Sequence, residues 1–589
     1  MKQLYKIFSV FILIAAISSG VAIAQTDSTK LNQSVEVMKA YRPSISNAHK
    51  VNLMPVIEDT TRFSPEFKYA IDSQPVNSSF AASAIKPADV NKLAYKNPGL
   101  GYLKLGAGTS NSIYGEFFLN LPESKSATFG LHLRHLSSDG NIKLKEGTLV
   151  PAPFSQDNAA IYGSVNIGNT ILSTDLSYDR DAMRYYGYPA SIPAKIDSLS
   201  SLSSFKYGLK QAYDKGNFKV ALRSNEKLQG NLTFNSGVRM GFFDSKTGQK
   251  ENSGGLFGKF DYNFGPVHGI LDLSYDHFST DSIKLAAQQV PGTKSNDWIR
   301  IAPSVSLNGD NWFLRGGINF VASTDKDGGN SNKLYPDFEF NFRPVEGILT
   351  LYAGLKGDLK NNRYGDIALE NYWADPRHNV LNTDYNYVVS GGLKGKISRE
   401  ISYNIGVNYS QVKDMYFYVF NSDWNASTNP AYVYNNQFDV KYDNAKITDF
   451  SAEFSYISGN DLSIVVGGHY YNYQLDSMPF ASQKPNFDLS ASIGVQIVDK
   501  LKGFADLKVV GSQKVMVYNH KNPSASAVST DELFALDTYV GLNLGATYEL
   551  SSNLRLFGRV DNVLNRTNEQ WLGYASQGLR VIAGVSVSF

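Results

Sequence analysis

Leu579-Arg580-Val581-Ile582-Ala583-Gly584-Val585-Ser586-Val587-Ser588-Phe589 is the stretch that decides the fold. Its odd positions, Leu579, Val581, Ala583, Val585, Val587 and Phe589, are all apolar. Its even positions carry Arg580, Gly584, Ser586 and Ser588, with Ile582 the exception. Side chains alternate between the two faces of a strand, so a period of two describes a β-strand with one apolar and one polar face.

The same pattern recurs upstream. In 554–561, Leu554, Leu556, Gly558 and Val560 alternate with Arg555, Phe557, Arg559 and Asp561. In 540–548, Val540, Leu542, Leu544, Ala546 and Tyr548 alternate with Gly541, Asn543, Gly545 and Thr547. In 462–470, Leu462, Ile464, Val466, Gly468 and Tyr470 alternate with Ser463, Val465, Gly467 and His469. From Pro98 onward about 22 such segments can be placed. The connections fall into two sets. Tight ones include Gly168-Asn169, Gly265-Pro266, Gly309-Asp310, Ser398-Arg399 and Asp499-Lys500. Longer ones run over 137–156, 180–203, 279–295, 361–383, 513–534 and 566–576, alternating with the tight ones. Short turns at one end and long loops at the other describe a transmembrane β-barrel, with short periplasmic turns and longer extracellular loops. A soluble propeller has no reason to lengthen every second connection. The expectation is an all-β, antiparallel transmembrane barrel with both termini periplasmic. Charged side chains on the second face then point into the lumen, because lipid would cost several kcal/mol for each. The turn within 204–245 is ambiguous: Lys215-Gly216 and Leu228-Gln229-Gly230 both qualify.

Composition fits that class. Tyr 36 and Phe 34 are abundant, while the mean hydropathy of −0.26 is too polar for a helical membrane protein. Aromatic girdles and a single lipid-facing side account for both. At the other end of the chain, Lys2 and Lys6 precede the apolar run Ile7–Ile17, and Ala22-Ile23-Ala24 precedes Gln25. This reads as a secretory signal over 1–24 with an A-x-A cleavage site; the apolar run is short for a spanning helix. Without residues 1–24 the chain has 54 basic and 54 acidic residues, which gives no case for nucleic-acid binding. The absence of cysteine excludes disulfides, thiolate metal sites and cysteine nucleophiles.

Little in the chain suggests chemistry. His132 and Arg134 alternate on one strand with His135 beside them, and they read as lumen-facing polar residues. Asp325-Lys326-Asp327-Gly328-Gly329-Asn330 resembles a calcium loop, but Pro336 stands where a bidentate Glu is needed. No cofactor, no metal and no enzymatic activity are expected. The long loops are rich in aromatics: Tyr185, Tyr186 and Tyr188 in one, Tyr364, Tyr372 and Trp373 in another, and Tyr416 to Trp424 climbing toward a third. At an exposed rim, Tyr185, Tyr186, Tyr188, Tyr372 and Trp373 could bind a sugar or a protein; girdle and loop packing is the blander alternative.

Gly558-Arg559-Val560-Asp561-Asn562-Val563-Leu564-Asn565, followed by Trp571, Tyr574, Gly578 and the closing strand, resembles the end of TonB-dependent receptors. The chain is similar, more narrowly, to the TonB-dependent receptor-like barrels of Bacteroidota. The resemblance covers about residues 98–589 and implies 22 strands in the Gram-negative outer membrane. It also implies that Leu579, Val581, Ala583, Val585, Val587 and Phe589 close the barrel and are read by the insertion machinery. Transporters of this kind carry a plug of about 130 residues preceded by a TonB box. Here 25–97, with Pro43, Pro55, Pro65, Pro75 and Pro87, reads as an extended segment rather than a globular domain, and Val35-Glu36-Val37-Met38 matches the box only faintly. Two functions remain open: passage of a solute across the membrane, or service as an accessory subunit that docks an envelope partner through 25–97. Asp197-Ser198-Leu199, Asp281-Ser282-Ile283 and Asp476-Ser477-Met478 also resemble the Asp-Ser/Thr-apolar O-glycosylation sequence of Bacteroidota, which makes Ser198, Ser282 and Ser477 candidate acceptors.

Overall fold

The computed structural model describes residues 100–589, apart from 125–126, 145–146, 148, 187–209, 226–230, 247, 282–283, 286–287, 290–294, 326–328, 376–379, 422–436, 460 and 519–527. Twenty-two strands form the wall. They are β1 (Gly101–Gly108), β2 (Ser112–Ser124), β3 (Ala127–Ser138), β4 (Phe154–Ile167), β5 (Thr170–Arg184) and β6 (Lys210–Ser224). Next come β7 (Leu232–Ser245), β8 (Lys250–Asn263), β9 (Val267–Asp281), β10 (Ser295–Asn308), β11 (Trp312–Asp325) and β12 (Asn330–Val345). Then follow β13 (Leu349–Lys360), β14 (Thr383–Lys396), β15 (Ile401–Asn421), β16 (Gln437–Ser458) and β17 (Leu462–Leu475). The wall ends with β18 (Phe487–Val498), β19 (Leu501–Val510), β20 (Tyr539–Glu549), β21 (Leu554–Asp561) and β22 (Arg580–Ser588). Each strand pairs antiparallel with its neighbours in sequence. β22 returns to β1 in a register running from Tyr102↔Ser588 to Gly108↔Ile582, which closes the barrel. Closure satisfies every sheet edge, as lipid demands.

The alternation read from sequence is the alternation of faces. Leu105, Ile113, Met240, Leu256, Leu334 and Val585 point outward, with Leu334 64% and Met240 58% exposed. Charged residues turn inward and pair. Lys104 lies 3.6 Å from Glu116, which also accepts from the Tyr102 hydroxyl at 2.8 Å and the Tyr114 hydroxyl at 2.6 Å. Arg315 bridges to Glu339 at 3.1 Å, and Asp449 meets His469 at 2.9 Å. On the closing strand Ile582 breaks the pattern for a reason: it faces inward and packs with Tyr114, Leu136, Phe154 and Phe557. His132 also faces inward, 3.2 Å from Glu116. His135 does not; it has the opposite parity and meets Asp157 on the outer face.

Tight turns sit at one end. Gly168 and Gly265, with φ of 59° and 89°, take the left-handed backbone that these turns require and that a side chain resists. Lys215-Gly216 lies inside β6, where Gly216 is in register with Tyr178 and Phe242, so it is not the turn; Leu228-Gln229-Gly230 lies outside the described residues. The short–long alternation has three exceptions. The β1–β2, β7–β8 and β11–β12 connections, 109–111, 246–249 and 326–329, are short although they lie at the long-loop end.

Candidate functional site

The described parts of the long loops pack together. Among the described residues their aromatics form the largest buried cluster of the molecule, a cap at the long-loop end. It is assembled from distant parts of the wall: Ile142 and Leu144 from the β3–β4 loop, Tyr185 and Tyr186 after β5, Tyr213 on β6 and Phe243 on β7. To these are added Tyr364 to Ala374 between β13 and β14, and Trp571 to Ala575 between β21 and β22. Positions eight or more strands apart in a barrel of 22 face each other across the lumen, so their contacts bridge the mouth.

Local chemistry explains how each piece is held. The short helix α1 (Tyr364–Glu370) begins with Tyr364 and Gly365 N–H groups donating to Glu251 of β8, at 2.8 and 3.0 Å. A Cβ on Gly365 would meet Phe243 at 2.8 Å and this carboxylate at 2.9 Å, so the approach requires glycine. Beside the helix start, Asp366 raises the Arg363 guanidinium above its ordinary value, against burial. At the helix end Glu370 accepts from Lys484 at 3.1 Å and from the Tyr416 hydroxyl. The Lys484 ammonium lies over the rings of Tyr416 and Tyr418, at 5.4 and 5.8 Å from their centroids.

Three connections contribute to a small sheet above the barrel. The upper part of β15 pairs in parallel with Gln513–Tyr518, which pairs with Val528–Leu536. On the other side Phe438 of β16 exchanges hydrogen bonds with Trp373 O and Asp375 N, at 3.0 and 2.9 Å. Rings fill the space beneath. Trp373 stacks on Tyr574 at 3.9 Å, Tyr186 meets both edge-on, and Trp571 packs against Tyr418 and Phe438 at 4.8 and 5.5 Å. The Tyr186 hydroxyl donates to Ala575 O at 2.7 Å and that of Tyr213 to Tyr372 O at 2.8 Å. Burial pushes the Tyr364 and Tyr372 phenols well above their ordinary pKa, which keeps them neutral.

Of the two readings of these aromatics, loop packing fits the described ones and an exposed rim does not. Tyr185, Tyr186, Tyr372 and Trp373 are buried, because the loops carrying them fold inward and bury ring against ring. Tyr188 lies outside the described residues, as do Ser198 and Ser282. Ser477 is exposed, and its N–H is held by Asp443 at 2.9 Å. No cluster of three metal-ligating side chains occurs among the described residues. The motif Asn562-Val563-Leu564-Asn565 proves to be a staple for the last loop. Asn562 takes a φ of 49° and donates to Arg566 O and Gln577 O at 2.9 and 3.0 Å. Asn565 accepts from the Leu579 N–H at 2.9 Å, at the entrance to β22.

A cap also leaves some polar atoms stranded. Trp373 Nε1, Asn371 Nδ2 and both amide atoms of Gln483 are buried without a hydrogen-bond partner. Gln483 moreover has a φ of 59°. Each such group costs about 1–3 kcal/mol; among the described residues the wall carries such atoms too, Trp298 Nε1, Ser390 Oγ and Thr547 Oγ1 among them.

The fold of this 22-strand barrel is one that solved outer-membrane receptors and transporters share. Among them is the FrpB iron transporter from Neisseria meningitidis (F3-3 variant), 13% identical with a TM-score of 0.61, covering 83% of this chain and 81% of that one. The pyoverdine outer membrane receptor FpvA from Pseudomonas aeruginosa PAO1 is 14% identical with a TM-score of 0.59, covering 83% of this chain and 78% of that one. The siderophore receptor PirA from Acinetobacter baumannii is 12% identical with a TM-score of 0.60, covering 83% and 80%. At these identities the likeness is one of fold. No protein-family model matches the chain, and no curated protein matches it in sequence.

Proposed function

We propose that the chain is an outer-membrane barrel of the TonB-dependent receptor type that passes a solute through a gated lumen. Its long loops would be extracellular and its tight turns periplasmic. The barrel fold and its structural neighbours support the outer-membrane location. The observation that carries the reading is a closed wall with charged and hydroxyl side chains on its inner face and a cap of loop residues on top. Tyr185, Tyr186, Tyr372 and Trp373 are buried in the cap and would meet a ligand only when it opens. In the same reading 1–24 is a signal peptide, 25–97 an extended segment and 98–589 the barrel. Single-channel recording in planar bilayers tests it. The full chain should conduct weakly and a variant lacking 25–97 more strongly; no current from either discards the pore.

A second reading follows from the buried rim. A mouth whose described loop aromatics Tyr185, Tyr186, Tyr372 and Trp373 are buried also suits a non-transporting accessory subunit, with 25–97 docking a periplasmic or outer-membrane partner. Purification in mild detergent separates the two: a stable stoichiometric companion supports the subunit, and a solitary barrel the transporter. Ser198, Ser282 and Ser477 remain candidate O-glycosylation sites on this reading of the loops. Modification at one or more of them adds glycan mass to the mature chain, and an intact mass equal to that of the bare polypeptide removes the idea.

A further inference from the structure

On the outer face of β3 and β4, two polar levels follow the apolar belt toward the long loop. His135 stands directly opposite Asp157, and at the next level Ser137 stands opposite Ser155. All four share the parity of the outward Leu133 and Ile161 just below, each 41% exposed. Their hydrogen bonds form one chain. His135 Nδ1 lies 2.5 Å from Asp157 Oδ1, and His135 Nε2 lies 3.0 Å from Ser137 Oγ. The other carboxylate oxygen, Asp157 Oδ2, accepts from the Ser155 hydroxyl at 2.9 Å. A carboxylate only accepts, so the imidazole proton sits on Nδ1 and Nε2 is left to accept from the serine.

A serine on one imidazole nitrogen and a carboxylate on the other is the arrangement that activates a hydroxyl for attack on an acyl carbon. The group is open on its outer side, for His135, Ser137 and Asp157 are each partly exposed. Gly115 of β2, the other neighbour of His135 in register, has no side chain, and a Cβ there would meet only Leu105, at 3.8 Å. A substrate can therefore reach the imidazole edge from that side. The same four residue types recur on β9 and β10, where His277 is opposite Asp297 and Ser279 opposite Ser295. That second set is looser. Ser295 Oγ is 3.4 Å from His277 Nε2, and the carboxylate oxygen that meets His277 at 2.7 Å also accepts from the Tyr275 hydroxyl at 2.8 Å.

We propose that Ser137, His135 and Asp157 hydrolyse the acyl ester of a membrane glycerolipid, with the acyl chain lying down the wall over Leu133, Ala159 and Ile161. This activity goes beyond passage of a solute, and it rests on the reading of this wall as lipid-facing. Under that reading the ester level of the lipid falls where the apolar belt gives way to His135. Ser137 Oγ attacks the ester carbonyl carbon while His135 Nε2 takes the hydroxyl proton. The bond from that carbon to the glycerol oxygen then breaks, and the departing oxygen takes the proton from His135. Water attacks the acyl-serine by the same path, releasing a fatty acid and restoring the serine. Asp157 is a positioning residue: it holds the ring through Nδ1 and stabilises the imidazolium that forms. Ser155, opposite Ser137, can turn its hydroxyl from Asp157 to the carbonyl oxygen as negative charge develops there.

Fatty-acid release from phosphatidylethanolamine in mixed detergent micelles by the full chain tests it, and a fluorophosphonate probe tests the nucleophile directly. The probe should phosphonylate Ser137 with loss of fluoride, as read by peptide mass. Ser137→Ala and His135→Phe should each lower fatty-acid release by about a thousandfold or more, while heat-modifiable gel migration shows the barrel still folded. Asp157→Ala should fall likewise, and Asp157→Glu, which keeps the carboxylate, should recover part of the turnover per folded molecule. Ser295→Ala should leave release and labelling unchanged. Release and labelling no greater than those of Ser137→Ala overturn the triad. Turnover of p-nitrophenyl butyrate without turnover of phospholipid overturns the lipid substrate. Failure of the membrane reading shows separately, as a chain that does not fractionate with outer membranes whatever it hydrolyses.

Discussion

Asp561→Ala is expected to destabilise the barrel by about 3–5 kcal/mol, the cost of leaving buried charges without their counter-ion. Asp561 sits on β21 directly opposite Arg580 of β22. One carboxylate oxygen receives Arg580 through Nε and Nη2 at 3.0 and 2.8 Å, and the other is paired with Arg559. All three side chains are no more than 8% exposed. Removing the carboxylate leaves two guanidinium groups close together on the inner face of the closing seam. Arg580 would keep its place over the Phe154 ring, 5.3 Å from the centroid, but that contact offsets only a fraction of the loss. Urea unfolding of the refolded protein in detergent measures the effect, and a change below about 1 kcal/mol would show that the triad is hydrated and contributes little. Replacing Arg559 by Met in the same background should recover part of the stability, because one of the two stranded charges is gone.

Trp571→Ala should act on the cap and spare the wall. Trp571 is 1% exposed and touches Tyr418 from β15 and Phe438 from β16. Truncating a buried Trp costs about 3–5 kcal/mol in transfer and cavity terms. The cap already contains unsatisfied polar groups, so a loss of this size is enough to open it. Amide exchange over 364–375 and 569–575 should accelerate by about two to three orders of magnitude, since local opening free energy sets exchange. Exchange in β2, β9 and β17 should stay as in the parent. Uniform acceleration through wall and cap would mean that they unfold together, and no acceleration that the mouth is held by something other than these rings.

The wall was legible in the sequence and the cap was not, for a physical reason. A strand between lipid and lumen must alternate, so Val581, Ala583, Val585 and Val587 declare their face. Turn lengths then set the strand count. Loop residues obey no such period. Tyr186 and Tyr574 look alike whether they face water or each other, and the hydrogen bond from Tyr186 to Ala575 spans 389 residues. One signal was present. Met415-Tyr416-Phe417-Tyr418-Val419-Phe420 is apolar on both faces, which a wall strand bordering a polar lumen is not; a strand buried on both sides reads this way. That run is where β15 leaves the membrane and enters the cap. Parity also separates His135 from His132 and Arg134; reading all three as lumen-facing overlooked it, and His135 lies on the outer face. The Asn562–Asn565 motif was recognised by resemblance, but its work as a backbone staple needed coordinates.

The pairing of β1 with β22 sets the order of assembly. Every other wall contact joins neighbours in sequence, whereas Gly108 meets Ile582 and the Leu100 N–H reaches Phe589 O at 2.6 Å. Local hairpins can form early, but bringing β1 to β22 closes a loop that encompasses the whole wall, and loop-closure entropy defers such contacts. Until then the nascent sheet has two open edges, either of which can pair with a foreign strand. The barrel is therefore a structure finished by a single late event, and the half-built sheet is the species that a cell must shield.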